Sequence, residues 1–225
     1  MQYSTFAAID IGSYDVILEI FEISKKQGIR SVDKICHRME LGKDTYTLGK
    51  IRPEMEEELC RVLADFVRIM EGYRVDDYRA TASSAISEAS NSLYVLGKIH
   101  QLTGLSVTVL SNSEQRFLRY KALAAMEDNF NKIIEKGTAI LDLDGGSFQI
   151  SLFDKDALVT TQNIRMGSLR IRERLAGIQS ETEHYEEMVE ELIWNEVSSF
   201  KKMYLKDRKI ENIMLIGDVF TDSVY

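Results

Sequence analysis

The sequence predicts an α/β protein of two similar lobes, the second one incomplete. Three observations predict it. Strand-like and helix-like hydrophobic periods alternate along the chain. The order β-β-β-α-β-α occurs once, and a second series, β-β-β-α-α-β, begins near residue 138. Each series opens with an apolar strand that runs into an aspartate and a glycine turn, Asp10-Ile11-Gly12-Ser13 in the first and Asp142-Leu143-Asp144-Gly145-Gly146-Ser147 in the second.

The elements follow in order. Residues 3–11 read as a strand ending at Gly12-Ser13, and 15–23 alternate through Val16, Leu18 and Ile20 to a turn at Gly28, which is the pattern of a hairpin. Residues 29–41 read as a third strand. Pro53 suits the first position of a helix, with Glu54, Glu56, Glu57 and Glu58 at its positive end and Met55, Leu59, Val62, Leu63, Phe66 and Met70 at helical spacing. A short strand follows at 78–83, then a helix at 92–103 stopped by Gly104, a strand at 106–110 and a helix at 112–126. In the second series, strands are expected at 138–143, 148–153 and 158–164. A helix is expected at 168–175 and a long amphipathic one at 181–205, with Tyr185, Met188, Val189, Leu192, Ile193, Val197 and Phe200 on one face. A strand at 213–216 closes the series before Gly217. The polar stretch 127–136 places the boundary, giving lobes 1–128 and 129–225 with a cleft expected between them.

Composition narrows the function. A chain of 225 residues holds one large domain or two small ones, and 44% hydrophobic with 28% charged residues is ordinary globular composition. No run approaches the ~18 apolar residues of a membrane span, and residues 1–5 lead into a strand with no signal-peptide pattern. Cys36 and Cys60 fit no disulfide framework, so the cytoplasm is the expected location. Three scattered histidines give no metal-ligand spacing. A net charge of −8 argues against nucleic acid as partner. Nothing suggests a membrane partner, and a homodimer is left open. Trp194 is expected to pack within its helix, and Cys60 to fill the core.

The two turns carry the chemistry. Glycine lets the backbone approach an anion closely, freed N–H groups cradle phosphate, and a nearby carboxylate holds a Mg²⁺ ion that phosphate shares. One such turn alone reads more readily as an ordinary hairpin with a turn-favouring aspartate. Two at equivalent places point to a phosphate site. No GxxxxGK[ST] loop and no strand–GxGxxG–helix unit competes with them.

These turns, with other segments in order, resemble the exopolyphosphatase/guanosine pentaphosphate phosphatase (Ppx/GppA) family of the actin-like ATPase superfamily, whose lobes are ribonuclease H-like. Residues 8–13 (Ala-Ile-Asp-Ile-Gly-Ser) look like the family's DxGS opening. Residues 82–91 are similar to ATSALREAxN, 109–115 to VISGxEE, 142–147 to DIGGGS, and Arg165-Met166-Gly167-Ser168-Leu169-Arg170 to LGxVR. The resemblance implies hydrolysis of a terminal phosphoanhydride of polyphosphate or of guanosine penta- or tetraphosphate, with Mg²⁺ as cofactor. It implies Asp10 and Asp142 as metal ligands, and Gly12, Ser13, Gly145, Gly146, Ser147, Arg165 and Arg170 as phosphate-binding residues. Glu114 and Gln115 stand at the catalytic positions.

The departures bear on turnover. Gln115 stands where the family has its general base, and an amide accepts no proton at a useful pH. Ser87 replaces the arginine of ALREA, so a bidentate phosphate fork is missing. Asp144 replaces the first glycine of GGGS, Gln149 a glutamate and Tyr14 an asparagine. Glu114 neighbours the base position, and the run 111–115 also serves as a helix cap. The arginines at 165, 170, 172 and 174, with Arg116 and Arg119 on another helix, either line an anion path or form a solvated face with partners such as Glu173. Three readings follow: a slow phosphohydrolase of this type, a family member that binds a phosphate-rich ligand without turnover, and an actin-like nucleotide-binding or assembly module. Three acids near a polyanion site should make binding depend on Mg²⁺.

Overall fold

The computed structural model describes residues 3–126, 129–179, 184–206 and 208–217. They fall into two compact units, Met1–Asn112 and Ser113–Tyr225. The division lies before the helix that the sequence reading placed in the first lobe.

In unit 1, β1 (Ser4–Ile11), β2 (Asp15–Ser24) and β3 (Gly28–Arg38) form an antiparallel meander. β4 (Asp77–Ala82) then joins β1 in parallel, and β5 (Val107–Val109) joins β4 in parallel. The sheet order is β3-β2-β1-β4-β5. This is the ribonuclease H-like arrangement that the family resemblance implies. One apolar face dominates: Ala7, Ile9, Ile11, Val16, Leu18 and Ile20 alternate inward and are fully buried. Helix α2 (Pro53–Gly72) covers them with Leu59, Leu63 and Phe66, and packs on α4 (Ser92–Thr103) through Val95 and Ile99. Pro53 stands in the first turn of α2 and Gly104 closes α4 in the left-handed region, as expected. Cys60 is buried as core filler.

Two helices were not expected. Helix α1 (Leu41–Leu48) reads LGKDTYTL, a run of weak helix formers entered through Glu40 at φ 52°. It is held by polar contacts instead. Buried Asp44 takes a forked contact from Arg52, and the Thr45 hydroxyl donates to the Ala85 carbonyl at 2.6 Å. Ala85 lies in the one-turn helix α3 (Ser84–Ser87). Asn91 ties the α3–α4 connection to the lead-in of α2, accepting from the Ile51 amide at 3.0 Å and donating to the Ile51 carbonyl at 2.8 Å.

Unit 2 opens with α5 (Asn112–Met126) and the short helix α6 (Phe130–Glu135), which lies in the stretch read as a polar boundary. Then β6 (Thr138–Leu143), β7 (Phe148–Asp154) and β8 (Ala157–Ile164) repeat the antiparallel meander, and β9 (Asn212–Gly217) joins β6 in parallel. The order among the described residues is β8-β7-β6-β9, the plan of unit 1 without a fifth strand. Both faces of this sheet are covered. Phe148, Ile150 and Leu152 meet Phe200 of α8 (Tyr185–Tyr204) on one side, while Phe130, Ile134, Ile140 and Phe153 cluster on the other. Tyr120 and Leu123 of α5 pack on that second cluster, with the Tyr120 ring edge-on to Phe153 at 5.3 Å. These contacts assign α5 to unit 2. Helix α7 (Ser168–Gln179) precedes α8. The expected start of α8 at 181–183 lies outside the described residues, as do Asp218 and Val219. Trp194 is 63% exposed and so does not pack as expected. No described helix is long and apolar enough to cross a membrane.

Replacing Asn91 by Ala leaves both main-chain groups of Ile51 without their partner. It is expected to destabilise unit 1 by about 1–2 kcal/mol. Urea denaturation followed by far-ultraviolet circular dichroism measures this, and an unchanged midpoint would remove Asn91 from the account of how α2 is anchored.

Candidate functional site

The two glycine turns are built alike. The Gly12 amide donates to the Asp15 carbonyl at 2.9 Å, and the Asp144 amide donates to the Ser147 carbonyl at 3.0 Å. With Asp10 and Asp142 aligned, these are the same bond. The chain leaving the third strand then returns to each turn. Gly42 of α1 donates to the Ser13 carbonyl at 2.9 Å, and Arg170 of α7 donates to the equivalent Gly145 carbonyl at 3.1 Å. Gly167 lies so close that a Cβ would fall 2.3 Å from the Ser147 nitrogen and 2.4 Å from the Asp144 oxygen, so no other residue fits there. At Gly12 the same test gives 3.0 Å to the Asp15 oxygen, a tight fit.

In unit 1, Asp10 is exposed near the end of β1, in register with Ile17 of β2 and Thr81 of β4. The Thr81 hydroxyl lies 3.4 Å from its Oδ1. Ser13 is fully buried. Its hydroxyl sits 2.7 Å from that of Tyr46 and 3.4 Å from that of Ser84, which are themselves 2.8 Å apart. This network joins the turn to α1 and α3, a different placement from the phosphate-facing one expected. The sequence reading missed Tyr46, because α1 itself carried no helical signal. Ser87, at the position of the family's arginine, is exposed.

In unit 2, Asp142 is 9% exposed near the end of β6, paired in register with Gln149 and Ile216. Its carboxylate is bound by the Arg119 guanidinium from α5. The same guanidinium reaches Asp144, with Nη2 at 3.8 Å from Oδ2. The other Asp144 oxygen accepts from the Gly145 amide at 2.6 Å, which fixes the carboxylate. Burial pushes the Asp142 carboxyl above its usual range; Arg119 draws it back and the neighbouring Asp144 charge raises it further. Anchoring beside Arg119 is firm, since the Tyr120 hydroxyl bonds Ser151 of β7.

The remaining candidates are dispersed around this turn. Arg170 is half-buried and turns its Nε onto the Gly146 carbonyl at 2.8 Å, so it braces the loop as well as charging it. Arg165 is exposed, and Arg172 pairs with Glu173 at 3.0 Å; the partner is the one the sequence allowed, but Glu173 is largely buried, so this is not a solvated face. Glu114 is exposed and Gln115 half-buried in the first turn of α5. Arg119 was read only as one of two arginines on its helix. Its role had a signal: an added acid at 144 beside a buried Asp142 requires an added cation.

The expected Mg²⁺ does not fit the unit 2 residues. A divalent ion needs the carboxylate oxygens that the guanidinium holds. Among the described residues, no group of three or more His, Cys, Asp or Glu side chains could hold a metal. Asp10 remains as a single exposed carboxylate.

The sheet order and the paired turns define an α/β fold of the actin-like ATPase class. The family model of the Ppx/GppA phosphatase family matches residues 19–224, and the chain belongs to that family. The bifunctional 3-dehydroquinate synthase/phosphatase of Fusobacterium nucleatum is 22% identical over 174 residues, 75% of this chain and 26% of that protein. Exopolyphosphatase 1 of Mycobacterium leprae is 25% identical over 144 residues, 64% of this chain and 41% of that protein. The chain thus spans between about a quarter and two fifths of these curated relatives. The crystal structure of the Aquifex aeolicus Ppx/GppA family member superposes with a TM-score of 0.72 at 23% identity, covering 98% of this chain and 68% of that one.

The pair of Arg119 and Asp142 makes a pH-dependent prediction. A carboxyl raised in the folded state contributes stability that is full below the ordinary carboxylate pKa and is lost as pH rises through the folded value. Arg119→Gln removes the group that limits that rise. Its destabilisation should be small near pH 4 and grow to about 1–3 kcal/mol near pH 8. Urea titrations at both pH values test this, and an equal loss at both would show that Arg119 acts by packing alone.

Proposed function

We propose that the chain is a slow phosphohydrolase of the Ppx/GppA type, acting on the terminal phosphoanhydride of polyphosphate or of guanosine penta- or tetraphosphate. The observation that carries this is the pair of like-built turns in a chain of this family, each braced by the segment after its third strand. In unit 2, Gly146 and Ser147 contribute backbone N–H groups to phosphate; the Gly12 and Gly145 amides are engaged by Asp15 and Asp144, and these glycines serve by allowing close approach to their own turns. Arg165 and Arg170 contribute positive charge. Ser13 contributes its main chain, its hydroxyl being engaged with Tyr46 and Ser84. Asp10 would hold Mg²⁺ arriving as the counterion of a polyphosphate chain, since Mg²⁺ bound to phosphates needs few protein carboxylates.

The residues at the reaction's proton-transfer step explain why turnover is slow. Gln115 orients a water by hydrogen bonding but accepts no proton. Glu114 is next to it, and adjacent helical residues do not share a face. A second reading, ligand binding without turnover, is favoured by the same Gln115 and by the guanidinium on Asp142.

Phosphate release from short polyphosphate and from guanosine pentaphosphate, beside calorimetric binding of each, separates the readings. The unmodified chain is expected to hydrolyse near background. Gln115→Glu is expected to raise turnover by at least ~10-fold, the low side of what a positioned base supplies. Adding Ser87→Arg should exceed the product of the single gains, because base and clamp act on one transition state. Fast hydrolysis by the unmodified chain would identify another base; no gain from the double variant with binding retained would leave the binding-only reading standing.

A further inference from the structure

The fold places Asp142 where a metal ligand is expected, yet the described surroundings already contain its cation. We infer that Arg119 takes the place of the divalent ion in unit 2, so that the Asp142–Ser147 turn works in a permanently charge-compensated, metal-free form. The inference rests on the proposed phosphate-binding role of that turn, and extends it to how the turn is charged.

Three observations support it together. The guanidinium is shared: one nitrogen holds Asp142 and the other faces Asp144 at 3.8 Å. A planar fork with five donors suits two carboxylates, whereas a lysine would serve as a point charge. Second, the acids are fixed rather than adaptable. Asp142 sits on the central strand β6, and Asp144 is pinned through its other oxygen to the Gly145 amide at 2.6 Å. Neither swings away to greet a solvated ion without breaking a bond it already has. Third, the departure at residue 144 and Arg119 are coupled. Asp144 stands where the resembled motif has glycine, and it is one of the two carboxylates that Arg119 spans. An acid added there alone would set two buried carboxylates against each other. With Arg119 the trio carries a net single negative charge. A divalent ion would have to enter against the guanidinium and compete for the same oxygens.

The family's phosphatases are generally divalent-metal dependent, and Arg119 is the residue by which this turn would dispense with the ion. The device is also reversible by one substitution. Removing the guanidinium leaves two oriented carboxylates converging on one vacated position, the donor type that Mg²⁺ and Mn²⁺ prefer.

The test is a metal titration of the full chain without phosphate ligand or turnover, so its outcome is independent of whether the proposed hydrolysis is real. Mn²⁺ binding is followed by electron paramagnetic resonance and Mg²⁺ binding by calorimetry, for the unmodified chain, Asp142→Asn, Arg119→Met and Arg119→Met/Asp142→Asn. Asp142→Asn is expected to leave the unmodified chain's metal affinity unchanged. Arg119→Met is expected to gain at least ~10-fold in Mn²⁺ affinity from removal of the competing charge, and the double variant to lose that gain. Arg119→Gln, which keeps a polar group against the carboxylates, serves as a second variant if Arg119→Met fails to give a cooperative thermal transition. An Asp142-dependent metal site in the unmodified chain would overturn the inference. So would the absence of any gain in a folded Arg119 variant. Titration of tripolyphosphate in chelator and in Mg²⁺ then addresses the reading beneath it. Binding in both that weakens with Arg165→Ala or Arg170→Ala supports the turn as a phosphate site. Failure to bind in either would end that reading, while leaving the metal result intact.

Discussion

Each unit depends on one constraint: the first hairpin turn is held by main-chain donors that come from the far end of the meander. Gly42 reaches the Ser13 carbonyl, and Arg170 reaches the equivalent Gly145 carbonyl. A turn tied only to its own two strands would be free to twist with them. Tied also to the helix after the third strand, it has a fixed conformation, and the aspartate two residues before it has a fixed exit from the sheet. The close approach of Gly167 to the Asp144 and Ser147 backbone is the steric side of the same requirement. The sheet order follows, because the third strand must lie beyond the second for its outgoing chain to cross back over the turn.

The same backbone device is charged differently in the two units. Asp10 is exposed, with the Thr81 hydroxyl 3.4 Å from its carboxylate. Asp142 is buried, and an ionised carboxylate there needs a partner. Arg119 supplies it, from a helix whose position is set by the Tyr120 ring against Phe153 and by Leu123. Packing on the far face of the sheet therefore controls the electrostatics near the end of β6. Loss of that packing would withdraw the cation from the acid that needs it most.

Most of the fold was legible in the sequence because most elements bury a periodic apolar face. Strands β1, β2, β6 and β7, with helices α2, α4 and α5, came within a few residues of their observed bounds. Helices α6 and α1 were missed for different reasons: α6 is too short for its buried Phe130 and Ile134 to show a period, and α1 depends on polar contacts that periodicity does not encode. Helix α1 is weak in helix formers and depends on Asp44 with Arg52 and on Thr45 with Ala85. The domain boundary was set by composition at 127–136, whereas the compact units divide at 112/113 because Tyr120 and Leu123 belong to the second core. In the candidate site, both turns were legible from Asp–Gly spacing. The engagement of Ser13 and the guanidinium on Asp142 were not, since each joins residues more than twenty positions apart.

The family departures carry different physical weight, and treating them as one tally of degeneration would be misleading. In the proposed hydrolysis, Gln115 stands where a proton acceptor is expected, and a positioned base is worth roughly 10²–10⁴-fold. Ser87 lacks the fork of the resembled motif and is exposed. Asp144 is of another kind: it adds a charge that would be costly alone and is compensated by Arg119. Compensation of this sort preserves a fold and an oriented turn while giving up a resident ion. The cation is needed whatever the chain does, because the acids at 142 and 144 oppose each other without it. The geometry thus keeps a rigid turn with its acids partnered by a cation, whether or not water is activated beside it.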